Sequence, residues 1–270
     1  MKIYEALKTI NGEIVAPLDD DDVFLQGKLR SIQEAFSNDI DFYRNEVVAI
    51  DSEGNEINSP FDRSEIRKIV RAGDHAIVDK REAYTKFKSN VDLLTFNNSS
   101  IAISTDLLKK HSEYLRKIER LTDAFFFYIS LNSNKKIFID LKKLTGYRIH
   151  GENSSIRYLN TFEDFLAYMR QFYMSRERDW ENIKEAMETE WAKDYVTVFY
   201  LFTKCLRESI EGRHEDRMEC IRVGLDRYVN GYIVPKKVLL LSLLPHSLQR
   251  SLWKRVWKNQ VKSLNPSSLL

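Results

Sequence analysis

Residues 11–29 read NGEIVAPLDDDDVFLQGKL, and this stretch decides how the rest of the chain is read. Asn11 and Gly12 signal a turn. Residues 13–18 (EIVAPL) are a brief apolar run, consistent with a buried strand. The run leads straight into Asp19, Asp20, Asp21 and Asp22. Adjacent carboxylates repel one another unless a cation neutralises them. Mg²⁺ and Mn²⁺ favour oxygen ligands, commonly one or two carboxylates together with substrate phosphates. A strand end presents such ligands from a rigid place. The competing reading of the same four residues is a solvated acidic turn or a helix N-terminal cluster, where Asp is favoured.

Outward from this stretch, helices are predicted over residues 2–10, 26–36, 79–89, 107–118 and 123–131. Strands are predicted over residues 42–50, 137–139 and 144–149, with a hairpin turn at residues 51–54 closing on residues 56–57. Residues 97–104 (NNSSIAIS) read as a small-residue loop feeding a strand. From residue 161 the pattern becomes all-helical, with helices predicted over 161–176, 180–209, 215–229, 238–244 and 246–262. The expected fold class is therefore α/β, a mixed sheet with helices over residues 1–155, followed by a helical region over 156–270.

The chain has 270 residues, 43% hydrophobic and 30% charged, which argues against disorder as its main state. No apolar run approaches the roughly 20 residues a membrane span needs, and no secretory signal pattern is visible. Cys205 and Cys220 are the two cysteines, too few for a disulfide scaffold or a four-cysteine zinc site. The net charge of +2 conceals an asymmetry: residues 1–62 are net −9, the remainder is net +11, and no acidic residue follows Asp226. An acidic head and a basic tail suggest two tasks, such as metal binding at one end and an anionic surface at the other.

Residues 11–29 resemble the central strand and DxD motif of family 2 glycosyltransferases of the GT-A fold. The likeness runs through Gly12-Glu13, the apolar strand, the four aspartates and Lys28-Leu29. Residues 144–155 (LTGYRIHGENSS) look like the Tyr-Arg-x-His segment that often closes the catalytic domain in this family. The resemblance implies a partial GT-A-like sheet and a Mn²⁺ or Mg²⁺ cofactor. It implies Asp19, Asp21 and His150 as metal ligands, and Asp20, Asp22, Arg148 and Lys28 as residues that meet the diphosphate. Asp123, in LTDAFFF, matches the position of the catalytic base. The implied reaction is an inverting transfer from a nucleotide-diphosphate sugar to the hydroxyl of a glycan or lipid-linked acceptor. A non-enzymatic, membrane-associated remnant or partner subunit is the alternative.

The family normally places further strands before the DxD strand, whereas 18 residues precede Asp19 here. A missing N-terminal half or a second copy of the chain is therefore an expected partner, and weak or absent activity in isolation is expected. Residues 236–262 carry seven basic residues, with Trp253 and Trp257 four apart. Such a segment suits a membrane interface with the indole rings at headgroup depth. A cytoplasmic location follows, with peripheral attachment to the inner face of the membrane as one option. Nucleic acid is not an expected partner, because no recognition motif accompanies the charge.

Overall fold

A computed structural model describes residues 2–58, 66–70, 72–87, 91–149, 159–213, 215–229 and 236–263. The chain divides into two compact units, residues 1–149 with 182–194, and residues 150–181 with 195–270.

The first unit is a mixed sheet with helices on its faces. In chain order it holds α1 (Lys2–Leu7), β1 (Ile14–Val15), β2 (Val23–Phe24), α2 (Lys28–Phe36), β3 (Ile40–Ile50), β4 (His75–Val78) and α3 (Lys80–Phe87). These are followed by β5 (Ile101–Ser104), α4 (Thr105–Lys110), α5 (Ser112–Leu115), α6 (Thr122–Ser130) and β6 (Lys136–Arg148). The order across the sheet is β1-β5-β3-β6-β2, with β4 also on β6. Among the described residues only β3 and β6 run parallel; the other pairs are antiparallel.

β3 is buried along all eleven residues, so helices must cover both of its faces. Its side chains alternate accordingly. Tyr43 packs with Ile32 and Ala35 of α2, whereas Phe42 meets Phe127 of α6 edge-to-face at 5.7 Å. Polar residues on a fully buried strand need internal partners. Asp41 accepts from Ser133, the Tyr43 hydroxyl donates to Asp140 at 2.9 Å, and Arg44 Nε donates to the Leu93 carbonyl at 3.1 Å.

β6 was expected as two short strands and is one continuous strand. Its register against β3 slips between Asn45↔Asp140 and Glu46↔Lys143. The extra residues form a bulge, whose charged, exposed Lys142 and Lys143 imitate a loop in the sequence. Beyond β3, the first half of β6 carries β4 and the second half carries β2. The expected strand over residues 13–18 shortens to Ile14–Val15, because the chain leaves β1 at one end of the strand order to join β2 at the other. That crossing covers four strand spacings, about 19 Å. The eight residues from Val15 to Val23 reach about 28 Å at most. The aspartates are therefore drawn across the sheet's end rather than left in a loose loop. Gly27, at φ 88°, supplies the left-handed turn that carries the chain from this crossing into α2.

The helical elements are α7 (Phe162–Ala186), α8 (Glu190–Glu211), α9 (Arg217–Val229), α10 (Lys236–Leu243) and α11 (His246–Ser263). A single helix over residues 180–209 was expected. Instead α7 ends at Ala186, where Asn132 Nδ2 donates to the Ala186 carbonyl and Asn132 Oδ1 accepts the Glu188 N–H, at 2.7 and 2.9 Å. A side-chain amide thus satisfies both ends of the break, which no helical periodicity reveals.

In the second unit Phe165, Leu166 and Trp253 form one apolar cluster, and Val198, Phe202, Cys205, Cys220 and Val238 form another. Arg207 joins Glu177 and Glu211, each at 2.7 Å. The tryptophans of α11 turn inward, against the expectation of rings at a membrane surface. Trp253 is 6% exposed and donates to Ser209 Oγ at 3.0 Å, and Trp257 donates to the Leu159 carbonyl at 3.0 Å.

α9 packs on α10 at Gly224, where an added Cβ would stand 2.3 Å from Leu239 Cδ2. Gly224→Ala gains about 1 kcal/mol of helix propensity, but overpacking costs about 1–3 kcal/mol. Urea denaturation of Gly224→Ala is expected to show a lower midpoint than the parent chain; a higher midpoint would show that Leu239 yields freely.

Candidate active site

The site lies at the end of the sheet where β3 and β6 finish and β5 begins. Four segments meet there: residues 19–22, 97–99, the first turn of α6, and residues 147–148.

Asn97 is the residue that ties them. Its side-chain Nδ2 donates to Asp22 Oδ2 at 2.6 Å, and its backbone N–H donates to Asp123 Oδ2 at 3.1 Å. It does this at φ 68°, a backbone region that costs a non-glycine residue strain and that Asn tolerates best. Ser99 adds a second tie, accepting the Asp19 N–H at 3.0 Å. The Oδ1 atoms of Asn97 and Asn98 are buried and have no hydrogen-bond partner among the described residues.

Burial, reinforced by the carboxylates of Asp22, Asp123 and Asp21, pushes the Asp19 carboxyl up to about 6. Asp22 is also raised by burial, opposed by hydrogen bonds from Ser99, Asn97 and the Arg148 backbone. Its Oδ1 accepts that Arg148 N–H at 3.0 Å. Asp20 is exposed and Asp21 half-buried. Asp123 is the half-buried member of an otherwise buried α6. Its Oδ1 accepts the Ala124 N–H at 2.8 Å, so its carboxylate is held from two sides by backbone donors. Tyr147 closes the group. Burial raises its hydroxyl, and Asp22, Asp21 and Asp19 raise it further.

Sequence and structure thus bring Asp19, Asp21, Asp22 and Asp123 into one electrostatic neighbourhood, although about a hundred residues separate Asp123 from the others. Two other candidates are engaged by the protein itself. Lys28 is 1% exposed; its Nζ reaches Asn45 Oδ1, the Ser99 carbonyl at 3.1 Å and Thr145 Oγ1 at 3.3 Å, in the core behind the aspartates. Arg148 directs Nε to the Asp21 carbonyl at 2.8 Å and Nη1 to the carbonyls of Asp51 and Ser52 at 2.6 and 2.8 Å. Both side chains hold the scaffold around the aspartates. His150 lies outside the described residues.

Arg44 was not anticipated. It is fully buried on β3, on the α6 face of the sheet. Burial pushes its guanidinium down to about 10, while Asp123, Glu46 and Tyr43 favour the cation. Nη1 and Nη2 have no hydrogen-bond partner among the described residues. The available signal was the Arg44-Asn45-Glu46 run inside an otherwise apolar strand, since charge there is retained only with a specific environment. Asn97 and Ser99 carried no such signal: their contacts span 75 and 80 residues.

Among the described residues, no three His, Cys, Asp or Glu side chains converge into a ready-made metal cage. The donor set still suits a hard divalent cation, which takes one or two carboxylates and leaves its other positions to water or phosphate. Neither a protein-family model nor a curated protein matches the sequence.

The raised Asp19 has a consequence for stability. An unfolded Asp ionises near 3.8, whereas the folded group resists ionisation until about 6. Stability therefore falls as pH rises through this window and stays lower above it. In metal-free buffer, Asp19→Asn is expected to melt at a higher temperature than the parent chain at neutral pH, with the gap closing in acid; an unchanged or lower melting temperature would contradict the repulsion.

Proposed function

We propose that the chain carries the metal and base side of an inverting glycosyl transfer from a nucleotide-diphosphate sugar to an acceptor hydroxyl. The observation that supports this reading best is the meeting of Asp123 with Asp19, Asp21 and Asp22 at one end of a mixed sheet. The motif resemblance assigned these residues to complementary roles, and the sequence alone left them far apart.

Asp19 and Asp21 are the residues that would hold Mn²⁺ or Mg²⁺. When bound, the cation supplies charge neutralisation for the departing nucleoside diphosphate. Asp123 serves as the general base, taking the proton of the attacking hydroxyl. Its two backbone donors fix the direction of its carboxylate. Asp22 is tied to Asn97 and Arg148, and it shapes the loop that presents Asp21. Inversion needs one base and no covalent intermediate.

A second reading, a non-catalytic partner that keeps the acidic site, draws on β1. This strand ends the sheet order and pairs only with β5 among the described residues, and strand addition at its other edge is how such a partner would join.

Calorimetric titration of Mn²⁺, followed by a panel of nucleotide-diphosphate sugars, tests the proposal. Mn²⁺ binding is expected to be lost in Asp21→Ala, to strengthen as pH rises through about 6, and to precede sugar-nucleotide binding. Asp123→Asn is expected to keep Mn²⁺ binding and to lower turnover by about 10²–10⁴-fold. Absence of Mn²⁺ binding, or full turnover in Asp123→Asn, would overturn the assignment. Mn²⁺ binding without turnover in any preparation would favour the non-catalytic reading.

A further inference from the structure

α10 and α11 lie wholly in the acid-free part of the chain. α11 has two apolar flanks, and only one of them is used inside the protein. Gln249 and Trp253 face inward. On the other flank Leu248, Leu252 and Val256, spaced by four and so aligned along one side, are 51%, 41% and 48% exposed. Leu240 and Leu243 of α10 are exposed as well. Beside the α11 flank stands Arg255, with Lys258 next to it and Lys254 further round the helix; all three are exposed and without an ion pair among the described residues. Arg250, by contrast, is engaged by Glu163.

An exposed apolar flank bordered by unpaired cations suits a surface that is apolar within and anionic outside. A second copy of the chain does not match it, because a two-fold pairing sets this basic flank against itself. Nucleic acid gives the leucines nothing to bury against. Among the described residues no helix is long and apolar enough to cross a membrane, which leaves the interfacial mode, with the helix axis in the plane of the headgroups.

We propose that the exposed flank of α11 docks on an anionic lipid surface. Leu248, Leu252 and Val256 enter the boundary between headgroups and acyl chains, and Arg255 and Lys258 reach round to the lipid phosphates. The inward tryptophans hold the helix to the protein and take no part. The docking is independent of the transfer chemistry, because it uses no residue of the aspartate site.

Co-sedimentation of the full chain with vesicles tests this, comparing phosphatidylcholine alone with phosphatidylcholine mixed with phosphatidylglycerol. Binding is expected only to the mixed vesicles and is expected to be released by added salt. Arg255→Glu and Lys258→Glu are each expected to weaken it by at least about fivefold, and Lys254→Glu, on the far side of the helix, by less. Leu252→Ser with Val256→Ser is expected to abolish it while Mn²⁺ binding at the aspartates is retained. All five positions are exposed, and the salt response of the unsubstituted chain is a readout that needs no variant. No binding, equal binding to both vesicle types, or indifference to salt would overturn the proposal. So would a dimer, seen by light scattering, that Leu252→Ser dissociates while vesicle binding persists.

Discussion

The Lys28 amine is buried between α2 and the sheet, held by Asn45 of β3, Thr145 of β6 and the Ser99 carbonyl just ahead of β5. Moving a basic group out of water costs several kcal/mol unless oxygens replace the lost hydration. Three oxygens from three separate segments do so here. Burial, with Arg44 nearby, still pushes the amine down to about 6, and the Asp140 carboxylate only partly opposes this. The arrangement is stable only with all three segments in place, so α2, β3, β6 and residues 97–99 are locked in one geometry. Ser99 then passes the constraint on: its carbonyl serves Lys28 and its hydroxyl serves the Asp19 backbone. The acidic crossing is thereby fixed from below, and Arg148 fixes it from the side through the Asp21, Asp51 and Ser52 carbonyls.

This scaffold explains how like charges are kept together. Asp22 is quieted by Asn97 and the Arg148 backbone, and Asp123 by two backbone N–H groups. Asp19 has less compensation, and burial reinforced by the neighbouring carboxylates raises its carboxyl. Strained or repelling groups persist where the surrounding structure over-determines them, and they gather at functional sites. The positive φ of Asn97, the orphaned Oδ1 atoms of Asn97 and Asn98, and the unmatched guanidinium nitrogens of Arg44 fall in this one region.

What the sequence revealed follows from the range of each interaction. The long helices, the β3 run and the turn after it are written in local periodicity; the Ile57 N–H does donate back to the Ala49 carbonyl at 2.9 Å. The unity of β6 was hidden because its bulge places charged lysines where a loop was expected. β2 was invisible because two residues carry no period. At the site, the aspartates were legible by type and Asp123 by resemblance, whereas the roles of Asn97, Ser99 and Lys28 depend on partners many residues away. Lys28 in particular looks like any lysine at a helix start. On α11 the periodicity shows two apolar flanks but does not say which one faces inward, and the bulkier tryptophan flank was assigned to the outside.

The charge asymmetry of the chain thus divides between two surfaces of different chemistry, a carboxylate cluster fixed by the sheet and an exposed basic side of α11. The central claim is that the cluster is a divalent-cation site, and paramagnetic broadening of backbone amide signals by sub-stoichiometric Mn²⁺ tests it most directly. Broadening confined to residues 19–22, Asn97, Ser99 and Ala124 is the expected result. Broadening scattered over exposed acids such as Glu5 and Glu53, or none at those amides, would contradict a metal site built from the aspartates.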